Sequence, residues 1–298
     1  MKKLLMLAAF FFSTCYAQTV EIVVPFPPGG AVDVFARMIQ KEIVKETGAT
    51  VTVANRPGAD GLVAARDFLS PGKSPDRILI VSTGTSLFAK LNRTDQSSGI
   101  DPIDDFDTIG PIAITNTVVA VHREGRFQNL DDLVSVARKD VVNCGVSNAM
   151  GTFFAQTWAA KQQLKINVVP FKGGADLLNN FLGKHIECAI GPWPDLRPDA
   201  AVIVATSTKE AQFGANLPLI DLGPYKFYNF QTVSLHKNMN PALRQKITGV
   251  VLNLHNQPDF VKPMQERGFF VPKAREGFTQ VLQQDYRTLN LIRNTVLK

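Results

Sequence analysis

Residues 25–33, written PFPPGGAVD, place two glycines, three prolines and one acid between an apolar run and a segment with helical spacing. The pattern predicts a loop that leaves a buried strand and enters a helix. N–H groups in the first turn of a helix have no helical acceptor and carry partial positive charge. Glycine lets a ligand approach such groups closely, so the loop suits a carboxylate or a phosphate. A rigid connection without a ligand is the alternative.

The acid of this loop, Asp33, has two interpretations. In the first helical turn it is most simply a partner for the helix dipole. It could also accept a hydrogen bond from an amine or hydroxyl of a ligand. The loop matches neither the dinucleotide-binding nor the P-loop pattern, so no nucleotide cofactor is predicted.

The same arrangement recurs three times along the chain. Each copy follows an apolar run and is rich in glycine or small hydroxyl residues: 81–86 (VSTGTS), 145–152 (GVSNAMGT) and 170–176 (PFKGGAD). Each copy alone is also explained as a helix cap. Because ligands of open α/β sheets bind beyond the carboxyl ends of the strands, the repetition predicts one shared cleft.

Catalysis is the competing interpretation of Ser147. The segment 145–149, GVSNA, has alanine where a nucleophile elbow needs its second glycine. A serine hydrolase would use His185, His236 or His255, and nothing near these histidines marks them as catalytic. The sequence has no metal-binding histidine motif, so neither a metal nor a cofactor is predicted. The chain is predicted not to be an enzyme.

The elements that must position these loops are short strands alternating with amphipathic helices. The strand predictions are 20–24, 50–54, 77–82, 117–122, 141–146, 166–171, 186–190 and 201–207. Val32, Ala36, Ile39 and Ile43 form one apolar stripe at helical spacing. The pattern predicts an α/β fold with parallel sheet. After one more strand-like run, FQTVSL, the last third is helical, with predicted helix starts at Pro241, Pro258 and Val271–Pro272.

The first 17 residues have the pattern of a cleaved signal peptide. Lys2 and Lys3 precede the short apolar run 4–12, and small residues lead to a cleavage position after Ala17. A lipoprotein signal using Cys15 is the alternative, and its lead-in is poor. The chain is therefore predicted to be exported, to the periplasm.

The charge and the cysteine content bear on the partners of the protein and on its disulfide bonding. Without Lys2 and Lys3, the 32 basic residues become 30 against 26 acidic ones, and no basic run occurs, so a nucleic-acid partner is not predicted. Only Cys144 and Cys188 remain after cleavage. In an exported protein they could form one disulfide, although two unbonded buried side chains are slightly favoured.

Three motifs resemble those of the extracytoplasmic solute-binding proteins of tripartite tricarboxylate transporters, the Bug family. Residues 24–37 (VPFPPGGAVDVFAR) are similar to the family's V-P-F-x-P-G-G-x-x-D-x-x-A-R. Residues 55–61 (NRPGADG) are similar to N-R-P-G-A-G-G, with Asp60 in place of a glycine. Residues 169–173 (VPFKG) are similar to V-P-Y-K-G. The order of the elements fits the family over the whole mature chain.

The resemblance implies a type II periplasmic-binding-protein fold, a Venus flytrap of two α/β domains with a ligand cleft between them. Domain 1 would comprise 18–119 and 228–298, and domain 2 would comprise 120–227. It further implies a monomeric periplasmic protein that captures a small carboxylate, for example a di- or tricarboxylate, an amino acid or an aromatic acid, for membrane transporter subunits. A ligand sensor using the same cleft is the alternative.

Ligand contacts also follow from the resemblance. In the first motif they are Phe26, Pro28, Gly29, Gly30 and Asp33. Across the cleft they are Lys172, Gly173 and Gly174. Further residues match the general positions of family loops: Thr83, Thr85, Ser147, Asn148 and Thr152. Trp193 could stack on a planar ligand, and a packed tryptophan at a domain edge is favoured over that role.

The chain departs from the family pattern in three places. Ala155 and Gln156 replace a frequent histidine–leucine pair, and 218–225 differs from the family's glycine-rich stretch. The segment 191–195, GPWPD, has an unusual pair of prolines. These differences concern which carboxylate is bound rather than its class.

Overall fold

The computed structural model describes residues 18–92, 99–196, 201–208, 216–223 and 225–297. Its strands are β1 Thr19–Val24, β2 Thr50–Asn55, β3 Arg77–Ser82, β4 Asp107–Val121, β5 Val142–Val146, β6 Ile166–Pro170, β7 Cys188–Pro192, β8 Val202–Thr206 and β9 Tyr228–Leu235. Its helices are α1 Ala31–Thr47, α2 Leu62–Phe68, α3 Ala89–Leu91, α4 Leu130–Ala137, α5 Ala149–Gln162, α6 Gly174–Leu182, α7 Pro241–Asn253, α8 Pro258–Glu266 and α9 Phe278–Val296. The predicted signal segment lies outside these ranges. None of the described helices is long and apolar enough to cross a membrane.

The strands form one curled sheet in the order β2-β1-β3-β9-β4-β7-β5-β6, with β8 also paired to β4. β1, β2 and β3 are mutually parallel and form the first group, and β5, β6 and β7 form a second parallel group. β9 and β4 are antiparallel to their neighbours and join the two groups. The predicted α/β class is confirmed.

β4 is the strand that the sequence pattern described least well. The prediction covered 117–122, whereas the strand begins at Asp107 and its first part pairs with β9. The pairing register shifts around Pro111, where a strand residue without an N–H interrupts the ladder. The proline and the flanking polar residues hide this half from a search for β-branched runs.

The helices pack on the two groups of strands as apolar periodicity predicts. Ala36, Ile39 and Ile43 of α1 are fully buried and contact the first group of strands. Leu243 and Ile247 of α7 join the same core, so the chain does return to its first group of strands. α9 instead packs into the core that contains α5 and β5.

Helix starts at prolines are confirmed twice and wrong once. α7 begins at Pro241 and α8 at Pro258. No helix begins at Val271–Pro272; α9 begins at Phe278, after Gly277 with φ +75°. The reason is tertiary, because Phe270 pairs with Ile114 of β4 and holds the preceding chain extended.

Cys144 and Cys188 form a disulfide, so the slightly favoured interpretation of two unbonded cysteines is wrong. The two residues are directly paired on the parallel strands β5 and β7, with Cα atoms 4.5 Å apart. Both are fully buried. The bridge depends on strand order, which the separation of 44 residues in sequence does not reveal.

Candidate functional site

The carboxyl ends of the two parallel groups meet near the middle of β4. Ser82 ends β3 and pairs with Gln231 of β9, which pairs with Ala113 of β4. Pro192 ends β7 and pairs with Thr117 of β4. About four residues of β4, roughly 13 Å of strand, separate the two pairings. The loops that leave β1, β3, β5, β6 and β7 therefore face one space, which we call the cleft.

The loop between β1 and α1 is held from inside by Asp33. One carboxylate oxygen of Asp33 accepts from the N–H of Gly29 (3.0 Å) and from Arg37 Nε (2.9 Å). The other accepts from Arg37 Nη2 (3.2 Å) and from Asn55 Nδ2 (3.0 Å). Asn55 Nδ2 also donates to the carbonyl of Phe26 at 2.9 Å. With these donors and 2% exposure, Asp33 positions the loop and has little capacity left for a ligand.

This network shifts the titration of Asp33. Burial by itself raises the pKa of the carboxyl group, but the hydrogen bonds from Arg37, Gly29 and Asn55 and the charge of Arg37 outweigh it. The resulting pKa is about 2. Asp33 is therefore ionised at every physiological pH.

The other predicted contacts of this loop face outward. Pro28, Gly29 and Gly30 are exposed, while Phe26 is half-buried. Gly29 has φ +83°, a left-handed conformation that glycine adopts without strain. A Cβ at Gly29 would meet no atom within 4 Å, so the backbone is open to a ligand on that side.

The loop after β2, which carries the second motif, supports the loops that leave β1 and β3. Gly61 has φ +94°, and a Cβ there would overlap Thr85 Oγ1 and lie 3.1 Å from Pro25 Cβ. Arg56 donates its N–H to the carbonyl of Val24 at 2.7 Å. The motif thus acts by packing, with only a small residue fitting at Gly61.

Thr83 and Thr85, predicted as ligand contacts, are buried with protein partners. Thr83 Oγ1 accepts from the N–H of Phe230 of β9 at 2.8 Å. Thr85 Oγ1 hydrogen-bonds Ser82 Oγ at 3.0 Å. Both threonines fasten the loop after β3, and their role toward a ligand stays a prediction.

The loop between β6 and α6 repeats the arrangement around Asp33. Asp176 lies at the third position of α6, as Asp33 does in α1, and accepts from the N–H of Lys172 at 3.1 Å. Asn180, one turn later, donates to Asp176 at 3.1 Å. Gly173 has φ +98° and caps the helix. Lys172 is exposed and Gly174 half-buried.

Asn148 ties the loop after β5 to the joining strands. Its Oδ1 accepts from the N–H of Gly151 at 2.8 Å and caps α5. Its Nδ2 donates to Asn229 Oδ1 of β9 at 3.1 Å, and Asn229 in turn donates to Thr117 Oγ1 of β4 at 3.0 Å. Thr152 donates its hydroxyl to the carbonyl of Asn148 at 3.1 Å.

Ser147 has a carboxylate partner that sequence reasoning missed. Its hydroxyl donates to Asp195 Oδ2 at 2.9 Å across 48 residues of sequence. Among the described residues, no hydrogen bond joins Ser147 to a histidine: His122 bonds the carbonyl of Ile186, and His255 bonds that of Leu252. The serine–histidine pair that the hydrolase alternative requires is thus not seen among the described residues.

Trp193 packs against the C-terminal segment. Gly268 has φ +80°, and a Cβ there would lie 2.5 Å from Trp193 Cδ1 and 3.2 Å from Nε1. The carbonyl of Gly268 accepts from Thr115 Oγ1 of β4 at 3.2 Å. These contacts fit the favoured interpretation, a packed tryptophan at an edge of the second group.

No group of three or more metal-binding side chains occurs among the described residues. What the site offers is polar main chain at two helix starts, hydroxyl and amide side chains, and one half-buried carboxylate.

The fold is that of periplasmic binding proteins. The structure superposes on R. palustris Rpa4515 with adipate at a TM-score of 0.78, with 21% identity over 95% of this chain and 98% of that one. It superposes on MatC from Rhodopseudomonas palustris with bound malate at a TM-score of 0.77, with 17% identity over 93% and 99% of the two chains.

The chain belongs to the tripartite tricarboxylate transporter receptor family, whose model matches residues 35–294. The predicted resemblance is thereby confirmed, although the match begins just after residues 25–33. A curated relative, Protein BugT of Bordetella pertussis, is 23% identical over 285 residues, covering 87% of each chain. The family is one of transport receptors and not of enzymes.

Proposed function

We propose that this protein binds a small carboxylate-bearing solute in the cleft and delivers it to membrane transporter subunits without changing it chemically. One observation supports the proposal: Asp33 holds the loop after β1, and the backbone of Gly29 and Gly30 is exposed at the start of α1. The N–H of Gly29 is already donated to Asp33, so an anion bound there would gain from the other N–H groups of the first helical turn and from the helix dipole.

The strength of such a site is sufficient for a transport receptor. A hydrogen bond to a charged group contributes about 1.5–3 kcal/mol. Three or four of them, after ordering costs, reach about −8 kcal/mol, which corresponds to micromolar affinity. Adipate and malate in the two structural neighbours support a carboxylate as the class of ligand.

Capture would proceed by closure of two domains, 18–119 with 228–298 and 120–227, around the joining strands. The ligand stabilises the closed form by its differential affinity for that form. Contacts between the two sides support this mechanism: Asn148 bonds Asn229, and Trp193 packs on Gly268. We place the mature protein in the periplasm, as a monomer, after removal of residues 1–17.

A thermal-shift screen of di- and tricarboxylates, amino acids and aromatic acids tests the proposal on ligand-free protein. A ligand that binds only the native state raises the unfolding midpoint. We expect at least one carboxylate to do so. If none does, carboxylate binding is refuted.

A matched pair of variants tests the loop itself. Gly29 and Gly72 have φ +83° and +80°, and a Cβ at either meets nothing within 4 Å. Gly29→Val and Gly72→Val therefore carry similar backbone strain. Only Gly29→Val should abolish the ligand-induced shift, and equal shifts in both variants would exclude the loop from binding.

A further inference from the structure

The half of the cleft opposite α1 contains an acid of its own. Asp195 ends the short 3-10 turn Trp193–Asp195 after β7, and its carboxylate lies against the first residue of α6. A Cβ on Gly174 would overlap this carboxylate, lying 2.6 Å from Oδ2 and still closer to Oδ1. Glycine at this position leaves the room that the carboxylate fills.

Asp195 has few partners for a carboxylate so placed. Among the described residues its only hydrogen-bond donor is Ser147, to Oδ2 at 2.9 Å. Among the described residues, the charged groups of α6 and the loop before it are Lys172, which is exposed, and Asp176, which already accepts from Lys172 N–H and Asn180. Asp195 Oδ1 is thus left with acceptor capacity.

The two helix starts that face the cleft therefore differ in charge. At α1 the acid Asp33 is saturated and lies beneath the loop, so the outer side is free for an anion. At α6 the equivalent acid, Asp176, also accepts from the loop before its helix. A second acid, Asp195, however, lies against Gly174 at the start of that helix. A ligand carboxylate would meet repulsion there.

We propose that Asp195, oriented by Ser147, determines solute specificity by receiving the hydrogen-bond donor at the far end of the solute. This inference rests on the proposed function, since it assumes that α1 holds the solute's carboxylate. The favoured class is a carboxylate with an ammonium group at its other end. A second carboxylate at that end is disfavoured.

The protonation of Asp195 agrees with this role. Burial raises the pKa of its carboxyl group to about 6, and the hydrogen bond from Ser147 lowers it only in part. A cationic group nearby would favour the ionised form and relieve that cost. Among the described residues no cation pairs with this half-buried acid, so it is suited to a cation from the solute.

A comparison of the dissociation constants of two classes of solute tests the specificity directly. The probes are ω-amino carboxylates and α,ω-dicarboxylates of four to six carbons, with calorimetry at pH 7.5. We expect the native protein to bind the best amino member at least tenfold more tightly than the dicarboxylate of equal length. Asp195→Asn should reduce that ratio at least tenfold. Glu187→Gln is the control: it removes an acid that directly precedes β7, whereas Asp195 follows the strand. This variant should leave the ratio unchanged.

A second measurement needs no variant. Lowering the pH from 7.5 to 5.5 protonates most of Asp195, so the native preference for the amino member should decrease several-fold. If the native protein prefers dicarboxylates, or if neither Asp195→Asn nor pH changes the ratio, the specificity role is refuted while carboxylate binding stands. If no probe of either class and no carboxylate in the thermal screen binds, the proposed function itself fails.

Discussion

The carboxylate of Asp33 accepts a hydrogen bond from the main-chain N–H of Gly29, four residues earlier, at 3.0 Å. Lys172 and Asp176 repeat this contact at 3.1 Å in the second group of strands. In each case an acid inside the first helical turn fastens the residue before the cap. The acid thereby orders the loop without using the outer face of the helix start.

Replacing Asp33 with alanine should damage both folding and binding. It leaves donors of Gly29, Arg37 and Asn55 without their acceptor, so the free energy of unfolding should fall by about 2–4 kcal/mol. Ligand affinity should fall at least tenfold because the loop loses its order. Urea unfolding and calorimetry measure the two effects.

Asp107→Ala is the control, because Asp107 pairs with Arg244 and its side chain is 52% exposed. A surface pair contributes about 0–1 kcal/mol, and its loss should not affect ligand binding. Similar losses in both variants would contradict the positioning role of Asp33.

The low pKa of Asp33 predicts a pH dependence. Its folded pKa, about 2, lies below the ordinary value of 3.8, so ionised Asp33 stabilises the native state above pH 4. That stabilisation, about 2 kcal/mol, is lost as the pH falls from 4 through 2. The difference in free energy of unfolding between native protein and Asp33→Asn should shrink over this window. A difference that stays constant from pH 5 to 2 would refute the assignment.

Gly61→Ala should destabilise the protein more than Gly72→Ala. Both positions have left-handed φ, +94° and +80°, so both variants carry backbone strain. Only at Gly61 would the added methyl group overlap Thr85 and crowd Pro25. Overpacking of this kind costs about 1–3 kcal/mol more, measurable by urea unfolding. Equal losses would show that the second motif has no packing role.

The disulfide should contribute substantially to stability. Cys144 and Cys188 are 44 residues apart, and closing a loop of that size stabilises the folded state by about 4 kcal/mol in the chain-entropy model. Urea midpoints with and without dithiothreitol measure this effect. The urea midpoint of a Cys144→Ala/Cys188→Ala protein should be the same with and without dithiothreitol. An unchanged native midpoint after complete reduction would argue against a stabilising bridge.

Gly268→Ala should weaken ligand binding. The new methyl group would overlap the indole of Trp193, which follows β7 of the second group and packs on Gly268. If this contact belongs to the closed form, affinity should fall about tenfold. Gly48→Ala is the control, since Gly48 has φ +69° and open space around it. A tenfold loss in neither or in both variants would remove Trp193 and Gly268 from the closing mechanism.

Much of the fold and part of the site could be predicted because the determining interactions are local. Apolar residues at three- and four-residue spacing define α1, and prolines mark the starts of α7 and α8. The loop 25–33 contains its own acid, so even the bond from Gly29 to Asp33 lies within one motif.

The sequence by itself therefore determined which loops leave strands and enter helices, and that each of these loops suits an anion. Only the tertiary structure decided which exits meet. The crossing of β4 between the groups, the Cys144–Cys188 bridge and the contact of Ser147 with Asp195 all depend on strand order. Strand order arises from packing between residues far apart in the chain, and no local pattern of residue types records it.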